Sequence, residues 1–224
     1  CLLSRGLGDV YKRQEVDSLI LSTVSYIDFE LIETDLKTEK ATIREAGEQF
    51  NRLHADEKIK AGRLVPDSIF RLLDVMSRTP RFRDMILSDY VNQIDEEEEK
   101  QFSAITINLG DGSYYIAYRG TDDTIVGWKE DFRLAFRKPL ASQEMSSVYL
   151  NQVGCKLPGA FMVCGHSKGG NLAAYAATWA ETGVQRRITD IYSLDGPGFL
   201  PEVFEGDSYE QIRSRCLLYT SPSP

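Results

Sequence analysis

The residues of this chain best suited to covalent chemistry are Gly165-His166-Ser167-Lys168-Gly169. The pattern is G-x-S-x-G, in which a serine on a tight turn between strand and helix projects its hydroxyl as a nucleophile. Side chains two positions either side of that serine would collide as the chain reverses, so glycine is required there. The pentapeptide also arises by chance, and its context decides. Ala160 to Cys164 before it is an unbroken apolar run suited to a central strand, and Gly170 to Thr182 after it reads as a helix. Leu172, Ala173, Ala176, Ala177 and Ala180 give that helix a small-residue face able to sit close on a sheet. Its N-terminus would lie under the serine and favour a developing oxyanion, with the Lys168 backbone N–H as one donor. A structural serine in a tight turn would need the same glycines.

A second oxyanion donor is expected from the loop after an earlier strand. Arg119-Gly120-Thr121-Asp122 closes the alternating pattern of Tyr114, Ile116 and Tyr118. Gly120 permits close approach there, and Thr121 offers a backbone N–H and a hydroxyl. An ordinary turn with a Thr or Asp helix cap fits the same residues nearly as well. Trp128, Asp131 and Phe132 follow on a short helix that either borders the site or buries its rings.

The triad order for such a fold is Ser, then Asp or Glu, then His. The chain's two histidines, His54 and His166, both precede Ser167. His166 abuts the serine where neighbouring side chains diverge, so it is expected to pack or bond locally. His54 is expected on the surface of a charged helix. The base would then lie beyond Arg215. Asp195, ending the strand pattern Ile188 to Leu194, is a candidate acid or else caps the turn at Gly196-Pro197. Lys168 adjoins the serine rather than lying a helical turn away, which argues against Ser-Lys catalysis, and Gly165 to Asn171 lacks the order of a phosphate-binding loop. Neither metal nor cofactor is expected. The carboxylates of 95–99 lack the spaced ligands and glycine of a calcium loop and read as a solvated connection, and the cysteines match no zinc spacing.

The elements that must position these residues fall in two groups. Up to about residue 85 the pattern is helical: Val16, Leu19, Ile20, Val24 and Ile27 lie near one face, and Ala41 to Leu53 is charged and amphipathic. Asp67 is placed to cap Ser68 to Met76, and Thr79-Pro80 to start a further helix carrying Phe82, Met85 and Ile86. After Glu99 the period becomes two. Ile105, Ile107 and Leu109, the turn Gly110-Asp111-Gly112, and Tyr114, Ile116 and Tyr118 predict a β-hairpin. Strand, helix and strand over 160–194 then predict a parallel crossover in an α/β sheet.

The 224 residues carry 26 Lys+Arg against 34 Asp+Glu, a formal charge of −8, which argues against a nucleic-acid partner. At 42% hydrophobic the composition is that of a globular domain, and no apolar run is long enough to cross a bilayer. The two ends lack periodicity and are related at the DNA level. Asp9 to Gln14 can be encoded by GATGTGTATAAGAGACAG, whose reverse complement, one frame shifted, encodes Cys216 to Ser221. Residues 1–14 and 216–224 are therefore expected to be translated sequencing-library adapter. That expectation leaves 15–100 as an N-terminal helical region and 101–215 as a partial, C-terminally truncated core. Cys155 and Cys164 then remain, too few for a disulfide framework, so a reducing cytoplasm is expected.

Five segments carry a specific resemblance. Q-F-S-A-I at 101–105, Y-R-G-T-D at 118–122, G-W-K-E-D-F at 127–132, G-H-S-K-G-G-N-L-A at 165–173 and D-G-P-G-F at 195–199 resemble the Mbeg-like family of uncharacterised bacterial α/β-hydrolases. V-D-S-L-I-L-S-T-V-S-Y-I-D-F at 16–29 is similar to that family's first helix. The family is in turn similar to the fungal-type triacylglycerol lipases. The resemblance implies a lipase-like α/β-hydrolase sheet, Ser167 as nucleophile, and Thr121 and Lys168 as oxyanion donors. The function expected is cleavage of a carboxylic ester, lipid or acyl, through an acyl-serine, by a longer protein that supplies the base. This chain alone is expected to be nearly inactive. The alternative is a non-catalytic binding or scaffold domain that keeps the hydrolase fold.

Overall fold

The structure is a computed structural model that describes residues 7–53, 68–95, 100–121, 140–199 and 207–220. Its centre is a seven-stranded sheet whose spatial order follows the chain. The strands are β1 (Ala41–Thr42), β2 (Ile86–Asp95), β3 (Lys100–Asn108), β4 (Ser113–Tyr118), β5 (Ala160–His166), β6 (Ile188–Leu194) and β7 (Cys216–Tyr219). β1 to β4 pair antiparallel, and β4 to β7 pair parallel. The switch follows from the connections. Gly110 (φ 85°) and Gly112 (φ 89°) sustain the tight turn between β3 and β4. The later strands are joined through α4 (Ala141–Lys156), α5 (Lys168–Trp179) and α7 (Asp207–Arg213), as parallel pairing requires long crossovers. A single turn, α6 (Thr182–Gln185), precedes β6.

Two apolar layers cover the sheet. On one face α1 (Leu7–Val24), α2 (Ile43–Leu53) and α3 (Ser68–Arg78) bring Leu21, Val24, Phe50 and Leu73 onto Ile105, Ile107, Tyr115, Ala117 and Cys164. On the other, Leu150 and Val153 of α4 and Leu172, Ala173 and Ala176 of α5 meet Phe102, Ala104, Ile116, Tyr118 and Val163. The β3–β4 hairpin is thus as expected from alternation, yet Tyr115 and Ala117 are as buried as Ile116 and Tyr118. A strand covered on both faces has no polar side.

Three expectations change. The Thr79-Pro80 segment makes one turn, with the Phe82 and Arg83 N–H groups both donating to the Thr79 carbonyl, and Ile86 begins β2 rather than continuing a helix. Pairing with β3, from Ile86 opposite Asn108 to Asp95 opposite Lys100, outweighs the local helical signal. Helix α2 starts at Ile43, because Thr42 and Glu45 close a reciprocal cap. The Thr42 N–H donates to Glu45 Oε2 at 2.8 Å, and the Glu45 N–H to Thr42 Oγ1 at 3.1 Å. In α1 the buried side carries Ser18, Leu21, Ser22 and Val24, whereas Val16 and Leu19 are exposed. Small serines let the helix lie close on the sheet, and the Ser22 hydroxyl is satisfied by the Leu19 carbonyl at 2.8 Å. Residues 7–14 form the first turns of α1, and 216–219 form the edge strand β7.

Candidate active site

Strand β5 ends at His166 and helix α5 starts at Lys168, leaving Ser167 alone to make the reversal. Its backbone sits at φ 56°, ψ −131°, a strained region for a residue with a side chain. Two hydrogen bonds hold it there: the Ser167 N–H donates to the Leu194 carbonyl at 2.8 Å, and the Gly170 N–H donates to the Ser167 carbonyl at 2.9 Å. The flanking glycines are sterically obligatory. A β-carbon on Gly165 would lie 2.2 Å from the Gly169 backbone, and one on Gly169 2.2 Å from the Tyr118 carbonyl oxygen. The sequence expectation for the turn holds, and helix α5 begins two residues earlier than its apolar pattern.

The loop leaving β4 packs directly on this turn. Gly120 lies so close that a β-carbon there would be 2.6 Å from the His166 carbonyl oxygen and 2.2 Å from the Tyr26 hydroxyl. Thr121, which follows Gly120, is buried. The structure therefore brings Ser167, Lys168 and the Gly120-Thr121 loop together. Trp128, Asp131, Phe132 and Asp122 lie outside the described residues, as do His54, Asp67 and 96–99.

His166 bonds locally, as expected. Its Nδ1 is 3.1 Å from the Tyr26 hydroxyl, which also lies 3.2 Å from the His166 carbonyl oxygen. Tyr26 is a site residue that sequence reasoning passed over; only its place after the first helix pointed to it. Asp195 follows β6 at φ 50°, with its N–H donating to the Tyr219 carbonyl at 2.7 Å. His166 and Asp195 both border a cavity of about 380 Å³, whose other walls include Val16, Leu19 and Leu194. Val16 and Leu19, exposed on α1, thus face this recess together with Glu15.

Two buried polar side chains also make contacts around this turn. Asn171 accepts from Gln143 Nε2 at 2.9 Å and donates to the Pro197 carbonyl at 3.1 Å, tying α5 to the Asp195-Gly196-Pro197 turn. Gln143 in turn accepts from the Leu140 N–H at 3.0 Å at the start of α4. The second is the Lys168 side chain, whose Nζ donates to the carbonyl and to Oε1 of Gln101, each at 2.9 Å. Among the described residues no cluster of His, Cys, Asp or Glu is arranged to hold a metal ion. No helix among them is long and apolar enough to cross a membrane.

A mixed sheet covered by helices on both faces, with a strained serine turn after the parallel strand β5, defines an α/β-hydrolase-like, lipase-like fold. The chain belongs to the Mbeg1-like family, whose profile matches residues 76–223. Among solved structures it is similar to that of M37 lipase, with 17% sequence identity and a TM-score of 0.52 over 92% of this chain. The chain spans 66% of that lipase's length. No curated protein matches it.

Proposed function

We propose that the protein is a serine hydrolase of carboxylic esters, lipid or acyl, with Ser167 as nucleophile. The observation that carries this reading is the backbone of Ser167, φ 56° and ψ −131°, between β5 and α5. A fold does not keep such strain at a serine without compensation, and strained residues cluster where a side chain must be presented. The recess beside His166, with Val16, Leu19 and Leu194 among its walls and Glu15 and Asp195 at its border, has room for the acyl part of such an ester.

In the proposed reaction Ser167 Oγ attacks the ester carbonyl and its proton passes to a histidine. The resulting oxyanion is held by the Lys168 backbone N–H and by Thr121, through its N–H or hydroxyl. Collapse expels the alcohol, which takes the proton from histidine, and water then cleaves the acyl-Ser167 by the same steps in reverse. His166 is engaged by Tyr26, and the scheme takes its histidine from sequence after Arg215 in a longer protein. Asp195 or a later residue orients it.

The experiment is to label the product of the uninterrupted gene with a fluorophosphonate probe beside its Ser167→Ala variant. Labelling lost in the variant establishes an activated serine. A folded protein that takes no label is instead a binding or scaffold domain with the hydrolase fold. The 224-residue chain itself should turn over a short-chain nitrophenyl ester only at a residual rate.

A further inference from the structure

We propose that the Lys168 side chain is a positioning residue, which through Gln101 holds the Arg119-Gly120-Thr121 loop in register with the Ser167 turn. The inference rests on the serine-hydrolase reading for its catalytic consequence, though the mechanical link stands apart from it. Lys168 is only 1% exposed, although it directly follows the half-buried Ser167 at the tip of the turn. Its ammonium lies on Gln101, also 1% exposed, and meets both the main-chain and the side-chain oxygen at 2.9 Å. With that oxygen fixed, the Gln101 amide has one orientation, and its Nε2 donates to the Gly120 carbonyl at 3.5 Å. The chain of contacts runs from the residue after Ser167, across β3, to the loop that carries Thr121.

Packing alone does not explain a lysine here. Taking an ammonium out of water is costly, and a methionine of similar length would fill the same channel without that cost. What methionine lacks is the donor that orients Gln101. A β-carbon on Gly120 would meet the His166 carbonyl and the Tyr26 hydroxyl, and the Arg119 N–H donates to the Ser103 carbonyl at 2.9 Å, so the Gln101 amide adds a tether to the Gly120 carbonyl itself. An oxyanion donor works only when it is in place before charge develops, and a loop free to shift by an ångström loses that benefit.

The test is hydrogen exchange of this chain, read by mass spectrometry, for the parent, Lys168→Met and Gln101→Glu. Lys168→Met keeps the stem and removes the donor. Gln101→Glu keeps an acceptor for Lys168 and sets an oxygen against the Gly120 carbonyl. Amides of 118–121 should exchange roughly tenfold faster in both variants, with those of 161–166 unchanged, as expected for one lost hydrogen bond. Unchanged exchange at 118–121, or equal acceleration throughout the sheet, overturns the proposal. Where Lys168→Met does not fold, Gln101→Glu decides alone. In the product of the uninterrupted gene, kcat per fluorophosphonate-titrated site should fall about tenfold in Gln101→Glu at unchanged KM, since a misplaced donor costs less than a removed one. Equal kcat per titrated site removes the catalytic consequence. A parent that takes no label sinks the hydrolase reading, while hydrogen exchange still decides the link.

Discussion

At the scale of single residues, the site is built from strain and from missing side chains. Ser167 holds a positive φ that glycine adopts freely, so Ser167→Gly should raise stability by about 1 kcal/mol. That figure is the relief of strain less the extra freedom glycine gives the unfolded chain, and the midpoint of urea unfolding checks it. The same variant removes the proposed nucleophile, so the gain in stability would come with loss of probe labelling. Gly169→Ala should do the opposite. Its β-carbon would meet the Tyr118 carbonyl oxygen at 2.2 Å, an atom fixed within the sheet, and the cost should be about 3 kcal/mol. A Gly169→Ala protein with an unchanged urea midpoint would show that the turn is looser than its geometry. These positions were legible because the required residue type is a property of the turn itself. Tyr26, Gln101 and Asn171 were not, because each acts across a gap in sequence that no spacing rule bridges.

At the scale of elements, local signals set helix ends, and pairing set strands. The reciprocal Thr42–Glu45 cap starts α2, and Thr42→Ala should cost about 1 kcal/mol in thermal or urea unfolding. Hydrogen bonds from the Thr42 backbone and hydroxyl hold the Glu45 carboxyl below its ordinary pKa. The unfolded chain therefore takes up the proton first as pH falls, so this stabilisation is present above the ordinary carboxylate range and is lost on acidification through the lowered value. Thr42→Ala should flatten that acid limb, which unfolding midpoints measured from pH 6 to pH 3, an interval spanning the ordinary carboxylate range, would show. The strand β2 teaches the converse. Its sequence, I-L-S-D-Y-V-N-Q-I-D, carries a bulge between Ser88 and Val91 that breaks the alternation. Asp89 in that bulge sits at φ 53° and is held by the Lys156 ammonium at 2.5 Å and the Tyr149 hydroxyl at 2.8 Å. Both partners come from α4, 60 and 67 residues on, so nothing local announced the irregularity.

For the molecule as a whole, both faces of the sheet bury tyrosines. Burial raises the pKa of Tyr90, Tyr115, Tyr118 and Tyr149, and pushes Tyr192 up to about 12. Above the ordinary tyrosine pKa of about 10 the unfolded chain releases protons that the native state retains, so stability falls as pH rises beyond that value. The native fold should accordingly unfold cooperatively in alkali, with phenolate absorbance and loss of circular dichroism coinciding. Phenolate absorbance that rises smoothly while the dichroism persists would mean these hydroxyls reach water in the folded state.

By itself the sequence determined the class of fold, the hairpin, the parallel crossover and the serine turn, because each depends on period or on a backbone conformation that only certain residues adopt. The G-x-S-x-G segment and its flanking strand and helix are of this kind. Tertiary structure alone decided the rest. It put β2 in the sheet, turned Val16 and Leu19 of α1 toward a recess instead of the core, and set Tyr26, Gln101 and Lys168 around one loop. The physical reason is common to all of these. Local preferences amount to fractions of a kcal/mol per residue, whereas burial against a distant partner contributes more, and which partner is available is settled only when the chain has packed.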